Sequence, residues 1–464
     1  MHNLIAVNQI RNTCDARHTY NLPAEMLTAI FEAGIDPFPS MDERAGRDEG
    51  AEWDEWDERS QPFEMLVSHV CQRWRSVAFR APRLWKGINI YISRHPSISL
   101  LDMYLEISRA QLLDICFKPV LVRARNTGKP DVAEKLELDI FEQHLKRLLP
   151  YVHRWRRFHI QQFLPRGSFA VVFSSFQHLY APSLIEISLN CYEGVQNKAS
   201  FGEEEINVLQ GGAPLLTSLK IHGPDPVPLF RPPRDAVIHL TLGARHGAPT
   251  HDVLLFKPLR NLTHLSLSER RSYPLFFSFT PIELHTVRSL DLWILSSLSI
   301  HMLRGMHMPA VESLTIRSCV YVALDAFVRH SDHNQQYPVL RSLNFISNSY
   351  SQHISSTLPP ETLSTRFMEM FPTVEELSFC GEVDYTAIFS ELRRHNSSNE
   401  LLWPRLQRIT CPPSSSTMLV LALPDIITTI ENDIYYPRSL MWNCPLCTDG
   451  PQLQRLRDRE DYML

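Results

Sequence analysis

Cysteine and histidine side chains are the groups in this sequence best suited to bind a metal or to transfer protons. Cys444 and Cys447 form a Cys-x-x-Cys pair, which supplies two thiolates. A structural zinc ion takes four ligands, and no second pair of cysteines follows before Leu464. The twenty histidines are scattered, and His69 and His285 have the setting of polar surface residues rather than of general bases. We therefore predict no metal site and no catalytic residue.

The motifs that would cradle a phosphate or present a nucleophile are absent from the sequence. There is no Gly-x-x-x-x-Gly-Lys loop, no Gly-x-Gly-x-x-Gly, no Gly-x-Ser-x-Gly and no His-Glu-x-x-His. Glycine is scarce, at 16 residues, whereas proline is abundant, at 33. This composition favours an architecture punctuated by prolines over a glycine-rich nucleotide-binding fold. We predict a protein that is not an enzyme and that uses no cofactor.

The chain of 464 residues is long enough for two to four ordinary domains or for one elongated repeat array. Its formal net charge of −5 provides no general attraction to nucleic acid or to an anionic membrane. The nine cysteines lie mostly within apolar runs, which is typical of reduced, buried cysteines in an intracellular protein. The first residues lack the long apolar core of a signal peptide, and no window approaches the length of a membrane span. We therefore expect a cytoplasmic or nuclear protein with neither nucleic acid nor membrane as a partner.

The elements that must organise this chain begin with a helix that starts near Asn21-Leu22-Pro23. Asn21 can cap a helix, Pro23 is readily accommodated in a first helical turn, and Glu25 interacts favourably with the positive end of the helix dipole. Apolar residues then recur at helical spacing as far as Ile30 and Phe31, and Gly34 marks the predicted end. A helix of about three turns is marginal by itself, so its apolar face needs a partner.

An acidic segment separates this helix from the next apolar stretch of the sequence. Residues 41–58 carry nine acidic residues against Arg44 and Arg47, a net charge of −7. Such a segment cannot bury enough apolar surface to order itself, which predicts a solvated, disordered insert over residues 36–62. The alternative interpretation is that the segment is an acidic clamp for a basic partner. Trp53 and Trp56, within the acidic run, are the reason to retain this alternative.

The second helix follows Pro62, and one continuous apolar stripe predicts that it runs to Ala81-Pro82. Its apolar residues recur at spacings of three and four, after which Leu84 and Trp85 add two large apolar groups. The stripe consists of Phe63, Leu66, Val67, Val70, Cys71, Trp74, Val77 and Ala78. One interpretation is an ordinary helical hairpin with both tryptophans in its core.

The combined pattern resembles the F-box. The matching residues are Leu22-Pro23-x-Glu25-x-Leu27-x-x-Ile30-Phe31, then Val70-Cys71-x-x-Trp74-Arg75-x-x-Ala78, then Pro82-x-Leu84-Trp85. An F-box binds a Skp-type adaptor through a small helical hairpin and so docks onto a cullin–RING ubiquitin ligase. The resemblance covers residues 20–90, and it departs from the family in the long acidic insert, although a surface loop can be lengthened at small entropic cost.

The resemblance implies which residues face the adaptor or support the face that does. A hairpin of short helices cannot bury all of its apolar side chains within itself, so the excess forms an interaction surface. Trp85 has a second expected role, because it also begins the first apolar triplet of the following region. The implied adaptor-binding set is Leu22, Pro23, Leu27, Ile30, Phe31, Val70, Cys71, Trp74, Leu84 and Trp85.

Beyond the hairpin, apolar residues recur at positions i, i+3 and i+5, often with proline at i−2. Pro182-x-Leu184-x-x-Ile187-x-Leu189 and Pro338-x-Leu340-x-x-Leu343-x-Phe345 are clear copies. Successive first positions lie between 21 residues apart (216 to 237) and 34 apart (340 to 374). This spacing around a Leu-x-x-Leu-x-Leu core is the signature of leucine-rich repeats, in which each short strand and its return pack only on their neighbours.

We therefore predict an α/β chain. A 1–19 tail precedes an F-box over residues 20–90, an irregular leucine-rich-repeat solenoid with a curved parallel sheet covers residues 91–440, and a polar tail covers 441–464. The proline is expected to end the preceding helix and direct the chain into the strand. A generic α/β domain whose strands share a spacing is the alternative. The combination of a split F-box with degenerate repeats resembles the expanded F-box families of mushroom-forming fungi.

This resemblance implies a substrate-recognition subunit of a Skp–cullin–F-box ubiquitin ligase. The hairpin would hold the adaptor, and through it the cullin, while the solenoid holds an unidentified protein target. The alternatives are an F-box scaffold that supports no ligase turnover and an enzyme with a cryptic site in the solenoid. Trp293 and Tyr321 are candidate aromatic contacts for the target or, equally, core residues.

Overall fold

The computed structural model divides the chain by packing into two compact units, Met1–His159 and Ile160–Leu464. The sequence-based boundary at residue 90 separates motif from repeats, whereas the packing boundary comes later, after the strands that follow the helices. The structure describes residues 22–35, 62–92, 97–118, 130–160, 168–190, 206–222, 230–231, 233, 236–244, 259–269, 282–293, 306–317, 337–346, 366–380, 403, 405–410 and 441–443. The predicted tails at 1–19 and beyond 443, the acidic insert up to residue 61, Cys444, Cys447 and Tyr321 lie outside these residues.

Three short helices open the first unit. Helix α1 is Ala24–Ala33, α2 is Phe63–Val70 and α3 is Gln72–Arg80. The predicted end of α1 at Gly34 is confirmed, because the Gly34 N–H donates to the carbonyls of Ile30 and Phe31. Packing is close there: a Cβ on Gly34 would lie 2.5 Å from Cζ of Phe63, so a side chain at this position would displace the Phe63 ring. We call α1, α2 and α3 together the helical cluster.

The prediction of one continuous helix after Pro62 is wrong, because the chain breaks at Cys71. Cys71 is extended, with φ −157° and ψ 170°, and it separates α2 from α3. Its Sγ accepts a hydrogen bond of 3.4 Å from the Trp74 N–H, so the thiol caps α3. The apolar stripe misled the prediction since its period continues across the break.

After the helical cluster, strands and helices alternate along the rest of the first unit. A short 3-10 helix, Pro82–Trp85, leads into β1, Gly87–Tyr91, and then into α4, Ile98–Ile107. Strand β2, Leu113–Lys118, pairs in parallel with β1, placing Ile90 beside Phe117. Helix α5, Pro130–Leu148, and a second 3-10 helix, Leu149–Arg154, then lead to β3, Trp155–Ile160, which lies next to β2.

Strands dominate the described part of the second unit. After α6, Ser168–Phe176, the main sheet has the order β4, β6, β8, β9, β11, β13, β14, β15, β16 and β17. Strands β5 and β7, and strands β10 and β12, form two separate two-stranded sheets, and a helical segment covers residues 366–370. The strands are β4 Glu186–Asn190, β5 Ile206–Asn207, β6 Ser218–His222, β7 Phe230–Arg231, β8 His239–Ala244, β9 His264–Glu269, β10 Ile282–Glu283, β11 Ser289–Trp293, β12 Met306–His307, β13 Ser313–Arg317, β14 Ser342–Ile346, β15 Glu376–Cys380, β16 Arg408–Thr410 and β17 Met441–Asn443.

The repeat pattern of the sequence maps directly onto this sheet. Every described pairing in it is parallel, and equivalent positions of successive copies are register partners, such as Leu290 with Leu314. The apolar positions are buried and alternate with outward-facing polar residues, since side chains alternate across a strand. The coarser prediction, an α/β chain with a solenoid-like parallel sheet, is confirmed.

The prolines at i−2 have a more specific position than the sequence predicted. Pro182, Pro214 and Pro338 each stand second in a tight turn that the N–H of the following apolar residue closes, such as Leu184 N–H to Ala181 O at 3.3 Å. Proline suits this position because its fixed φ matches the turn and its missing N–H has no bond to make. The turn delivers the first buried apolar side chain of each copy immediately before its strand.

In the part of the chain that the structure describes, no helix is both long enough and apolar enough to cross a membrane.

Candidate protein-docking site

The helical cluster leaves four large apolar side chains half exposed to solvent. Met26 and Ile30 on α1 are 52% and 48% exposed, and Leu66 and Val70 on α2 are 48% and 50% exposed. Each pair is spaced i, i+4, which places its two members on one face of their helix. We call these four residues the apolar patch.

A separate set of apolar residues forms the core of the helical cluster. Leu27 and Phe31 on α1 are only 1% exposed, and Val77 on α3 is also buried. The Phe31 and Trp74 rings pack with centroids 5.0 Å apart and planes tilted by 56°. The four patch residues, by contrast, leave about half of each side chain in contact with solvent.

A polar contact ties the start of α1 to the start of α3. The Arg73 Nη2 donates to the carbonyl of Leu22, which is half-buried, and Pro23 is exposed at the N-cap position. Among the described contacts, no side chain at the N-cap position accepts a hydrogen bond from the first turn of α1. The predicted cap Asn21 lies outside the described residues. Leu22 therefore contributes its backbone to the cluster.

Leu84 and Trp85 lie in the core of the first unit, with 2% and 0% exposure. The Trp85 Nε1–H donates to the Ala78 carbonyl at 2.9 Å. Its ring packs edge-on against Phe79 and Tyr104, with centroids 5.4 and 5.1 Å away. These two members of the predicted adaptor-binding set, like Leu27 and Phe31, are buried, so their side chains lie away from the surface that a partner could touch.

The structure thus sorts the predicted residues by exposure. Ile30, Val70 and Pro23 are exposed, Leu22, Cys71 and Trp74 are half-buried, and Leu27, Phe31, Leu84 and Trp85 are buried. Sequence reasoning omitted Met26 and Leu66 from the set. Their signal was present in the i, i+4 spacing to Ile30 and Val70, but apolar periodicity alone does not separate the buried side of a helix from an exposed apolar side.

A buried carboxyl lies on the opposite side of α2 from Leu66. Glu64 is 8% exposed and accepts a hydrogen bond of 2.5 Å from the Tyr104 hydroxyl of α4. Burial raises the pKa of the Glu64 carboxyl above its ordinary value, while the bond from Tyr104 acts in the opposite direction. Burial and the neighbouring Glu64 also raise the pKa of the Tyr104 hydroxyl, which stays protonated as the donor.

The outward face of the main sheet in the second unit is a second candidate surface. Its central rows are dominated by short hydroxyl and amide side chains, such as Ser266, Thr315 and Asn344. Charged residues on this face are paired across neighbouring strands: Lys220 with Glu186 at 3.4 Å, Arg317 with Asp291 at 2.9 Å, and Arg408 with Glu376 at 2.6 Å. Trp293 is half-exposed on the same face. The face is polar, and its described acidic and basic side chains compensate one another.

Comparisons with known proteins provide no assignment. No protein-family model matches the chain, and no curated protein matches it. One of the solved structures similar to it is a protein from Bacteroides fragilis, with 13% identity and a TM-score of 0.27 over 67% of this chain and 70% of that chain. A likeness of that strength carries no argument about fold or function.

The described residues contain no group of three or more His, Cys, Asp and Glu side chains arranged to hold a metal ion. The three described cysteines, Cys71, Cys116 and Cys380, form no disulfide, and the Cys71 thiol caps α3. What the arrangement of the first unit offers is an exposed apolar surface on a packed support, and that arrangement suits binding to another protein.

Proposed function

We propose that the helical cluster is an F-box-type docking module for a Skp-type adaptor, and that the chain is the substrate receptor of a Skp–cullin–F-box ubiquitin ligase. The observation that carries the proposal is the apolar patch: Met26, Ile30, Leu66 and Val70 are each about half exposed on short helices that bury a separate set of apolar residues. The resemblance of residues 20–90 to the F-box supports the choice of partner.

The energy available from the patch suits a specific interface. Complete burial of an aliphatic side chain of this size contributes about 1.5–3 kcal/mol, and roughly half of each patch side chain is still in contact with water. A few anchors that fill pockets dominate most protein interfaces. Trp74 and Phe31, in contact with each other, would hold the backbone of the patch in place, so that the anchors are ordered before binding.

In the proposed complex, the chain has no catalytic residue, and its mechanism is positional. The second unit would bind a protein target while the first unit binds the adaptor. Tethering raises the effective concentration of the target's lysines near a charged ubiquitin-conjugating enzyme. The charge-compensated, hydroxyl-lined sheet face supports a role in contacting that target.

The test is co-expression of the full chain with a Skp-type adaptor, followed by affinity purification and measurement of the dissociation constant. Ile30→Glu and Val70→Glu should each weaken adaptor binding by at least tenfold, because a charge would be buried at the interface without a partner. Leu136→Glu on α5 is the matched control, since Leu136 is also 50% exposed in the same unit but lies outside the cluster. Equal binding by wild-type chain and both patch variants would refute the docking proposal.

Ligase function needs a second measurement. The purified complex should contain a cullin as well as the adaptor, and deletion of residues 20–90 should remove both while the target stays bound. A target whose abundance rises on that deletion would support substrate turnover. A complex with adaptor but without cullin would leave only a scaffold role.

A further inference from the structure

Two histidines stand directly opposite each other on neighbouring strands of the second unit. His239 opens β8 and His264 opens β9, and they are register partners in the parallel pairing. Both side chains are exposed on the polar face of the sheet. Their ring centroids are 4.2 Å apart with planes tilted by 31°. Adjacent strands lie only about 4.8 Å apart, so the two imidazoles face the solvent side by side.

The neighbouring Thr263 determines which nitrogen of His264 is free. The Thr263 Oγ1 lies 3.4 Å from the Ile238 carbonyl and 2.7 Å from the His264 Nδ1. The Ile238 carbonyl already accepts the backbone N–H groups of Thr263 and His264 at 2.9 and 3.0 Å, so its contact with the hydroxyl is secondary. The short Thr263 contact occupies Nδ1 of His264, and Nε2 is therefore the nitrogen that is left for a metal ion.

One basic and one acidic side chain, Lys220 and Glu186, lie near His239. Lys220 is itself held by Glu186 at 3.4 Å, so its charge is partly compensated. The remaining register neighbours, Ser218 and Ser289, carry no charge. A neutral imidazole is the form that binds a metal ion.

We propose that His239 and His264 form a binding site for a divalent transition-metal ion of the copper, nickel and zinc class. Each imidazole would contribute one nitrogen, and water would occupy the other coordination positions. Imidazole suits these borderline ions, whereas magnesium and calcium prefer oxygen ligands. The Thr263 contact acts as the outer hydrogen bond that commonly orients a ligating histidine. This site is independent of the adaptor-docking proposal.

A second histidine pair shows what distinguishes this one. His285 and His307 have ring centroids 6.1 Å apart and nearly perpendicular planes. The Nε2 of His285 is already 3.0 Å from Oε2 of Glu283. That pair lacks the side-by-side geometry, and it provides a matched control with the same residue types in the same unit.

The first test uses Cu²⁺ at less than one equivalent, so that the tightest site is filled first. Electron paramagnetic resonance of the full chain should show two equatorial imidazole nitrogens, and His239→Gln and His264→Gln should each abolish that two-nitrogen signal. His285→Gln should retain it. Copper that a variant no longer holds at this pair moves to other sites, so the readout is the change in the two-nitrogen signal relative to the wild-type chain. Persistence of the signal in both His239→Gln and His264→Gln, or its loss in His285→Gln, would overturn the proposal.

The second test distinguishes ligation from a change in folding. Thr263→Val keeps both histidines, and its loss of the outer hydrogen bond should weaken Cu²⁺ binding about tenfold or more. In the wild-type chain, Ni²⁺ should protect His239 and His264 from carbethoxylation by diethyl pyrocarbonate, read by peptide mass spectrometry. Modification of both histidines at the same rate with and without Ni²⁺ would equally reject the site.

Discussion

The Tyr104 hydroxyl donates a hydrogen bond of 2.5 Å to Oε1 of Glu64, and this contact joins α4 to α2 inside the first unit. Glu64 lies two positions before Leu66 and six before Val70, on the helix that carries half of the apolar patch. The helix that follows β1 therefore packs against the helical cluster. A fragment that ends at residue 90 would lack Tyr104 and would leave the Glu64 carboxyl without this donor.

The stability of the first unit should depend on pH through Glu64. Burial raises the folded-state pKa of this carboxyl above its ordinary value of 4.5, so the folded state binds the proton more tightly than the unfolded chain does. Its contribution to stability is therefore complete below the unfolded pKa and is lost as the pH rises through the folded pKa, by at most about 1.4 kcal/mol per pH unit. Glu64→Gln should remove this dependence. Denaturant unfolding of both proteins across that window measures it, and identical pH profiles would contradict the prediction.

Tyr104→Phe tests the donor side of the same contact. Removing the hydroxyl leaves a buried carboxyl with one fewer hydrogen bond, which should cost about 1.5–3 kcal/mol at neutral pH. Denaturant unfolding of the variant beside the wild-type chain measures the loss. The Tyr104 ring stays packed against Trp85 in this variant, so a smaller loss would show that the hydroxyl contributes little.

Mutating an exposed apolar residue of α1 should cost less stability than mutating a buried one. Ile30→Ser should cost about 0.8–1.5 kcal/mol, because Ile30 is 48% exposed and only the buried half of its side chain is lost. Phe31→Ala should cost about 3–5 kcal/mol, because it empties the site of a fully packed ring against Trp74. Thermal and denaturant unfolding distinguish the two. A large loss in Ile30→Ser would mean that this side chain serves the core and not a partner.

A side chain at Gly34 should destabilise the helical cluster. The Cβ of Gly34→Ala would lie 2.5 Å from the Phe63 ring, and overpacking of this kind costs about 1–3 kcal/mol. The matched control is Gly87→Ala, whose Cβ would have nothing within 4 Å. Adding Phe63→Leu to Gly34→Ala should recover part of the loss by making room. Equal stability of the two alanine variants in denaturant unfolding would show that α1 and α2 are not in this contact.

The two faces of the main sheet should respond differently to truncation. Leu290→Ala on β11 should cost about 2–5 kcal/mol, because Leu290 is fully buried. Ser289→Ala, one residue earlier and on the outward face, should cost about 0.5 kcal/mol or less. Calorimetric melting of the two variants provides the comparison. Similar losses would mean that β11 does not bury one face and expose the other.

Much of the second unit follows from the sequence, because its fold repeats a local pattern. Apolar residues at i, i+3 and i+5 are enough to specify a turn, a buried position and a short strand, and each copy needs only its neighbours to cover it. The spacing alone therefore aligns Leu265, Leu290 and Leu314 as equivalent positions, and strand register places them side by side. The end of α1 at Gly34 is likewise visible in the sequence, since glycine is a local signal for helix termination.

Tertiary structure alone decided the break at Cys71 and the exposure of each apolar side chain. The periodicity of the stripe is the same on both sides of Cys71, and only the packing of α3 against Phe31 shows that the chain turns there. Composition likewise cannot distinguish Ile30 from Phe31, because both are apolar neighbours and only three-dimensional packing buries one and exposes the other. His239 and His264 are 25 positions apart in the sequence, and only strand register brings their rings together. Local patterns determine elements, whereas contacts between distant residues depend on how those elements pack.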